Sequence, residues 1–144
     1  MLPDGHFAWI RAAQVRITRT PWAVRISRAR RRLTVLDGRR AVRSFPVGIG
    51  SPSSPTPLGH FSVTDELPGP RYSPVYGCCI LALSGTQPHL PAGYGGGDRL
   101  AIHGTNVPQA IGGTDSLGCI YTGDGGLRYL SRRLPLGTPV TIVR

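Results

Sequence analysis

The chain has 144 residues, which is enough for one domain and short for two ordinary ones. Its 17 basic residues are all arginine, and with 7 acidic residues they give a formal net charge of +10 at pH 7. Hydrophobic residues make up 40% of the chain, which fits a globular protein with its own core. The 20 glycines and 14 prolines favour many short elements joined by turns and argue against a helical bundle.

The first 19 residues differ in pattern from the rest. Residues 1–15 predict a turn and then a strand around Phe7–Ile10, and Thr18–Pro21 separates this segment from the remainder of the chain. We interpret residues 1–19 as the remnant of a preceding small β module or a linker, and residues 20–144 as the main domain. Met1–Ala12 lacks the basic start and long apolar run of a signal peptide, and no stretch is long enough to span a membrane.

The next segment predicts a β-hairpin. Residues 22–27 alternate between apolar and polar side chains, and two further apolar runs flank an Asp37-Gly38 turn. The densest basic stretch lies here, from Arg28 to Arg32, and it continues at Arg39, Arg40 and Arg43. No aromatic side chains that could stack on bases alternate with these arginines, so we expect no nucleic-acid partner. We interpret the stretch as a solvated strand edge, although an anionic polymer would be attracted to it equally well.

The remainder predicts short strands, long loops and one helix. Strands are expected at His60–Thr64, Ile80–Leu83, Arg99–His103 and Val140–Val143, with a long Gly/Pro-rich loop at Gly85–Gly97. Asp124 is a plausible N-cap for a helix at 125–133, whose leucines fall on one face. Six or more strands with one short helix near the C-terminus indicate a mainly β domain of two packed sheets.

The chain contains three cysteines, Cys78, Cys79 and Cys119. An odd number forbids complete internal pairing, and a bridge between adjacent cysteines is geometrically demanding. Their spacing matches no zinc site, so we expect no metal. We interpret Cys78 and Cys79 as packing residues on opposite strand faces, and Cys119 as the functional thiol.

The segment from His103 to Tyr121, HGTNVPQAIGGTDSLGCIY, carries the most chemistry. A histidine and a cysteine delivered by separate loops suit nucleophilic thiol chemistry, because a neighbouring imidazole lowers the pKa of the thiol and takes its proton. Gly118 would let a substrate approach the backbone closely, and N–H groups near Gly118 and Cys119 could hold an oxyanion. Spacing alone leaves open a buried inert cysteine and a structural histidine.

This segment resembles the signature of the L,D-transpeptidase (YkuD-like) family, in which HGT opens the motif and S-H-G-C-I/V-R closes it. The sixteen-residue step from His103 to Cys119 fits that pattern, as do the T-P-x-G-x-F entry at residues 56–61 and the Gly-Thr-Pro-Val before the last strand. The resemblance covers residues 20–144. It implies a β-sandwich of two mixed sheets with one short helix near the C-terminus.

The resemblance also implies a reaction. Cys119 would attack the carbonyl after the L-centred third residue of a peptidoglycan stem tetrapeptide, release D-alanine and leave a thioester, which a neighbouring stem's side-chain amine resolves as a 3→3 cross-link. His103 would be the base. Ser116 and Gly104 would support the loop with Gly118. The implied substrate-contacting residues are Tyr94, Thr105, Leu117 and Tyr121.

The family resemblance implies no cofactor, peptidoglycan stem peptides and carbapenems as partners, and a location outside the cytoplasm at the cell wall. We expect a monomer and expect that export depends on sequence upstream of this chain. Two residues depart from the family pattern. Leu117 replaces its usual second histidine, and Tyr121 replaces its usual arginine (sometimes asparagine), which offers a fixed fork for a carboxylate. A catalytically degenerate wall-binding relative and an L,D-carboxypeptidase that uses water remain alternatives.

Overall fold

The structure is a computed structural model that describes residues 9–91 and 97–144. The described residues form ten strands, numbered β1 to β10 along the chain, and one α-helix, α1. The strands are β1 (Trp22–Ser27), β2 (Arg32–Asp37), β3 (Arg40–Pro46), β4 (Ile49–Gly50), β5 (Gly59–Pro68), β6 (Cys79–Thr86), β7 (Arg99–His103), β8 (Thr114–Ser116), β9 (Ile120–Tyr121) and β10 (Pro139–Val143), and the helix is α1 (Asp124–Arg133).

The N-terminal segment does not form the predicted strand in its described part. Trp9 and Ile10 lie outside any strand, and a 3-10 turn follows at Ala12–Gln14. Phe7 lies outside the described residues. The interpretation of residues 1–19 as a separate remnant stays a prediction.

The predicted hairpin is formed by β2 and β3. Its turn contains Gly38 with a φ of +58°, a conformation that glycine adopts without steric cost. In β1 the buried Val24 and Ile26 alternate with the exposed Arg25, as the period of two predicts. Arg25 therefore points away from the core, and Arg30, Arg31 and Arg32 of the basic stretch are exposed as well.

Strand β5 connects the two halves of the sheet. Residues from Gly59 to Ser62 pair antiparallel with β10, whereas residues from Val63 to Pro68 pair antiparallel with β6. The eight strands follow the order β3-β2-β1-β10-β5-β6-β7-β9, and β4 pairs with β8 separately. Each half contains one parallel pair, β1–β10 or β7–β9, and is therefore mixed. The mainly β fold of mixed sheets with one helix is confirmed, with the two halves joined as one curled sheet.

One hydrophobic core serves both halves of the sheet. It includes Ile26 of β1, Leu81 of β6 and Ile102 of β7, all fully buried, together with Leu127 and Leu130 of α1. Burial of each such side chain contributes about 1.5–3 kcal/mol. The ten residues of α1 are too few to cross a bilayer, and no other helix in the described part of the chain is long and apolar enough to do so.

The start of α1 differs from the sequence prediction. Gly123 is the N-cap, and Asp124 is the first helical residue. An acidic residue in the first turn still complements the helix dipole. The side chain of Asp124 is used in a tertiary contact instead of a cap.

Candidate active site

The pairing of β7 with β9 brings the two halves of the His103–Cys119 motif together. These strands are parallel, with Ile102 opposite Ile120 and His103 opposite Tyr121. Cys119 directly precedes β9, so the intervening segment loops out and returns beside the strand that ends in His103. His103 and Cys119 both line a cavity of about 340 Å³, which we call the histidine pocket.

His103 has a defined tautomer. Its Nδ1 lies 2.6 Å from the carbonyl oxygen of Gly104, and a carbonyl can only accept, so Nδ1 carries the proton and donates it. This leaves the lone pair of Nε2 free to take a proton. Burial lowers the pKa of His103 below its usual 6.5, and the hydrogen bond to Gly104 opposes this shift. The imidazole is therefore neutral at neutral pH.

Two tyrosines fix the orientation of the His103 ring. The ring of Tyr76 meets it edge-on, with centroids 5.0 Å apart and an interplanar angle of 89°. The ring of Tyr121 stacks on it, with centroids 6.1 Å apart and an interplanar angle of 27°. These contacts, together with the Nδ1 hydrogen bond, restrict the imidazole to one position.

Cys119 is the free thiol among the described residues, because Cys78 and Cys79 form a disulfide between neighbours. Both residues pack against the core, as predicted, and they are also bonded to each other. Burial raises the pKa of the half-buried Cys119 thiol, and a backbone hydrogen bond with Ala101 opposes the rise. Sequence reasoning predicted a lowered pKa, but desolvation outweighs the influence of a neutral imidazole. The thiol and the imidazole that line this pocket are therefore both neutral at rest.

The loop before Cys119 is held by Ser116. The Ser116 hydroxyl donates to the carbonyl of Cys119 at 2.6 Å and accepts from the N–H of Gly118 at 3.0 Å. Gly118 has a φ of +115°, and a Cβ there would overlap the side chain of Gln87. Because the N–H of Gly118 is already engaged, the predicted oxyanion role falls to the N–H of Cys119 and stays a prediction.

Two hydroxyl groups from outside the motif bond to this loop, and Gln87 bonds to the Ser54-Pro55 segment that supplies one of them. Thr56 donates its hydroxyl to the carbonyl of Gly118 at 2.8 Å, and the hydroxyl of Ser54 lies 3.1 Å from the carbonyl of Leu117. Gln87, which is 5% exposed, donates to the carbonyl of Pro55 at 3.0 Å. Sequence reasoning missed Ser54 and Gln87 as site residues. The only signal was the Thr-Pro entry motif, which is about 60 residues before Cys119.

Gly104, whose carbonyl orients His103, packs against the first residue of the helix. Asp124 accepts a hydrogen bond from the N–H of Cys78 at 3.0 Å through Oδ1. A Cβ added to Gly104 would lie 2.5 Å from the same oxygen and 2.9 Å from the Cα of Gly77. Glycine is therefore required at 104, and the Asp124 carboxylate closes the space behind it.

Residues 21–142 match the model of the YkuD family, described as the L,D-transpeptidase catalytic domain. The chain belongs to this family. The YkuD protein of Bacillus licheniformis is 32% identical over 122 residues, which are 85% of this chain and 66% of that protein.

Solved L,D-transpeptidase structures share the fold of this domain. An L,D-transpeptidase from Mycobacterium smegmatis superposes with a TM-score of 0.62 at 16% identity, over 86% of this chain and 59% of that one. LdtMt1 in complex with imipenem gives 0.61 at 18% identity, over 85% and 59%. This L,D-transpeptidase domain thus spans under two thirds of the length of these chains.

Two residues of this L,D-transpeptidase domain depart from the family motif. Leu117 is 39% exposed beside Cys119. Tyr121 is buried, its hydroxyl lies 2.8 Å from the Ala110 carbonyl, and it also contacts the carboxylate of Asp115. Burial and then Asp115 raise the pKa of Tyr121, which keeps the phenol protonated. Asp115 was missed by sequence reasoning.

Of the two other residues predicted to contact substrate, Thr105 lies in a cavity of the L,D-transpeptidase domain and Tyr94 is not described. Thr105 lines the histidine pocket and accepts a hydrogen bond from the N–H of Val107 at 3.0 Å. Tyr94 lies outside the described residues. In the part of the chain that the structure covers, no three His, Cys, Asp or Glu side chains cluster to hold a metal.

A second cavity of about 230 Å³ opens on the other side of Cys119, and we call it the strand pocket. Tyr76, Leu117 and Cys119 line both cavities, whereas His103 lines only the histidine pocket. The Cys119 thiol can therefore be reached by ligands in either cavity.

Proposed function

We propose that this domain is a peptidoglycan L,D-transpeptidase that forms 3→3 cross-links through a thioester on Cys119. The observation that carries the proposal is the pairing of a free thiol with a neutral, oriented imidazole in one cavity of an L,D-transpeptidase domain. The substrate is the stem tetrapeptide, cleaved after its L-centred third residue. We also propose that the protein acts at the cell wall, outside the cytoplasm.

The first half of the reaction forms the thioester. Nε2 of His103 takes the thiol proton as Cys119 attacks the carbonyl carbon, so no stable thiolate is required beforehand. The C–N bond to the terminal D-alanine then breaks, and the proton on His103 passes to the leaving amine. In this scheme the N–H of Cys119 stabilises the oxyanion.

The second half transfers the acyl group to an amine. An amine nitrogen attacks the thioester carbon, the C–S bond breaks, and the proton lost by the nitrogen returns through His103 to the sulfur. The two cavities that meet at Cys119 support this scheme, since donor and acceptor can occupy opposite sides. Water as acceptor would give an L,D-carboxypeptidase with the same thioester.

The proposal extends to inhibition by carbapenems, and this provides its first test. Because a related structure contains imipenem, we expect one carbapenem adduct per chain on Cys119. Intact-mass analysis and peptide mapping measure the adduct, and Cys119→Ala should abolish it. The disulfide of Cys78 and Cys79 leaves those sulfurs without a free thiol.

The second test of the proposal uses a stem tetrapeptide as the substrate. Wild-type protein should release D-alanine, and Cys119→Ala should release none. An adduct on another residue would overturn the assignment of the nucleophile. A wild type that forms neither adduct nor product would instead favour the wall-binding alternative, to which the changes at Leu117 and Tyr121 point.

A further inference from the structure

The histidine pocket carries one formal charge among its described lining residues, and that charge is Asp115. His103 is neutral, and the remaining lining side chains are uncharged at neutral pH. The arginine nearest to Cys119 along the sheet, Arg99, lines the strand pocket instead and is ion-paired with Asp65. The side of Cys119 that holds the base is therefore locally negative, although the whole chain is strongly positive.

Asp115 is held in the histidine pocket by Tyr121. It belongs to β8, is exposed, and accepts a hydrogen bond from the Tyr121 hydroxyl, whose ring stacks on His103. A carboxylate has about four acceptor positions, so a ligand can still bind to it. A negative charge therefore lines the same pocket as the imidazole.

The charge of the pocket bears on which end of the substrate enters it. Under the proposed function, the acceptor amine has to transfer a proton to His103 as it attacks. His103 lines the histidine pocket and not the strand pocket, so the amine approaches from the side where Asp115 lies. Asp115 attracts its ammonium form and repels any carboxylate attached to the same carbon.

We propose that Asp115 determines acceptor specificity, favouring a diamino acid whose amine-bearing terminal carbon has no carboxylate. A lysine side chain meets this condition, and so does a diaminopimelate side chain whose carboxylate is a neutral amide. The bound ammonium loses one proton to water, and the amine then attacks the thioester carbon and gives a second proton to His103. The family motif has arginine where this chain has Tyr121, which would place the opposite charge in this part of the site.

The test measures amide formation from one donor tetrapeptide in the presence of competing acceptors. The acceptors are Nα-acetyl-lysine, Nα-acetyl-diaminopimelate, and the same diaminopimelate with its terminal carboxylate converted to an amide. Wild type should prefer the two acceptors without this carboxylate by about fivefold, the size expected for one partly exposed charge pair. Asp115→Asn should reduce that preference to less than about twofold, because it removes this charge pair.

Two further variants separate charge from structure. Tyr121→Phe keeps the carboxylate but removes the hydrogen bond that holds it, so the preference should fall to a value between those of wild type and Asp115→Asn. Asp37→Asn, at the exposed end of β2, removes one negative charge far from both cavities and should leave the preference unchanged. In wild type, about 1 M salt should erase most of the preference, because ions screen a partly exposed charge. This measurement does not depend on the folding of any variant.

The outcomes distinguish this inference from the proposed function on which it rests. A thioester that forms normally but shows the same acceptor preference in wild type and Asp115→Asn would overturn the inference alone. A preference unaffected by salt would do the same. Absence of any thioester in wild type would overturn both.

Discussion

His103 and Cys119 are each neutral at rest because both are desolvated. Burial lowers the pKa of the imidazole and raises that of the thiol, so each shift disfavours the charged form. A preformed thiolate–imidazolium pair is therefore not the resting state. Under the proposed mechanism, the proton moves during attack, when the thioester and the oxyanion develop.

This neutral pair predicts the pH dependence of carbapenem acylation. The rate requires unprotonated His103, so it should fall only below the usual imidazole pKa of 6.5. The thiol titrates above its usual pKa of 9.0, so no rise from thiolate is expected before that pH. Stopped-flow measurement should show a plateau from about pH 7 to about pH 9, the range in which base and thiol both stay neutral.

The matched variant for this profile is His103→Gln. Without the base, only the thiolate reacts, so the rate should rise about tenfold per pH unit towards the raised thiol pKa. At neutral pH the loss should be about 10²- to 10⁴-fold. A wild-type rate that climbs about tenfold per unit through neutral pH would contradict the neutral pair.

The sequence predicted the residues of the motif better than the residues that support it. His103 at the end of β7 follows directly from an apolar run, and Gly118 from the motif. Asp115 and Gln87 have no local signal, because their contacts depend on strands and loops that meet only in the folded chain. The pKa direction of Cys119 was also missed, since desolvation cannot be inferred from spacing.

At the scale of elements, α1 is tied to the active site by its first residue. Asp124 bonds the N–H of Cys78 and lies against Gly104, whose carbonyl orients His103. The sequence predicted the helix and its leucine face, because a 3.6-residue period is local. It assigned Asp124 to a cap because the tertiary partner, 46 residues away, leaves no trace in the local pattern.

Removal of this link should affect both stability and catalysis. Asp124→Ala should destabilise the domain by about 1.5–3 kcal/mol, the range for a hydrogen bond to a charged group, and should slow carbapenem acylation. Asp124→Asn keeps an acceptor oxygen at the same position and should lose less of both. Denaturant unfolding and stopped-flow acylation measure the two effects.

The control for Asp124 is Asp98→Ala, which removes an exposed carboxylate from another loop. Its free energy of unfolding should change by less than about 0.5 kcal/mol. If Asp124→Ala and Asp124→Asn lowered the acylation rate equally, the acceptor oxygen would not be what supports Gly104.

For the whole molecule, the curled sheet explains why one core can serve ten short strands. β5 changes its pairing partner from β10 to β6 at Val63, and buried side chains of both halves meet in a single cluster. Alternating patterns predicted the strands, but β5 extends to Pro68, beyond the predicted Thr64. Which strands pair, and where β5 changes partner, depends on the closure of the sheet and not on local sequence.

A single core predicts that both halves unfold together. Leu81 in β6 is fully buried, so Leu81→Ala should cost about 2–5 kcal/mol. Trp22 in β1 packs against the core in the other half, whereas Trp9 is fully exposed and contributes little change in fluorescence on unfolding. The denaturation midpoint measured by Trp22 fluorescence should therefore fall by an amount that corresponds to the whole loss of stability, and the midpoint measured by circular dichroism should fall equally.

The control is Leu136→Ala, at a 62% exposed position, which should change stability by less than about 0.5 kcal/mol. A Trp22 midpoint unaffected by Leu81→Ala would mean that the halves unfold independently, and that β5 does not couple them.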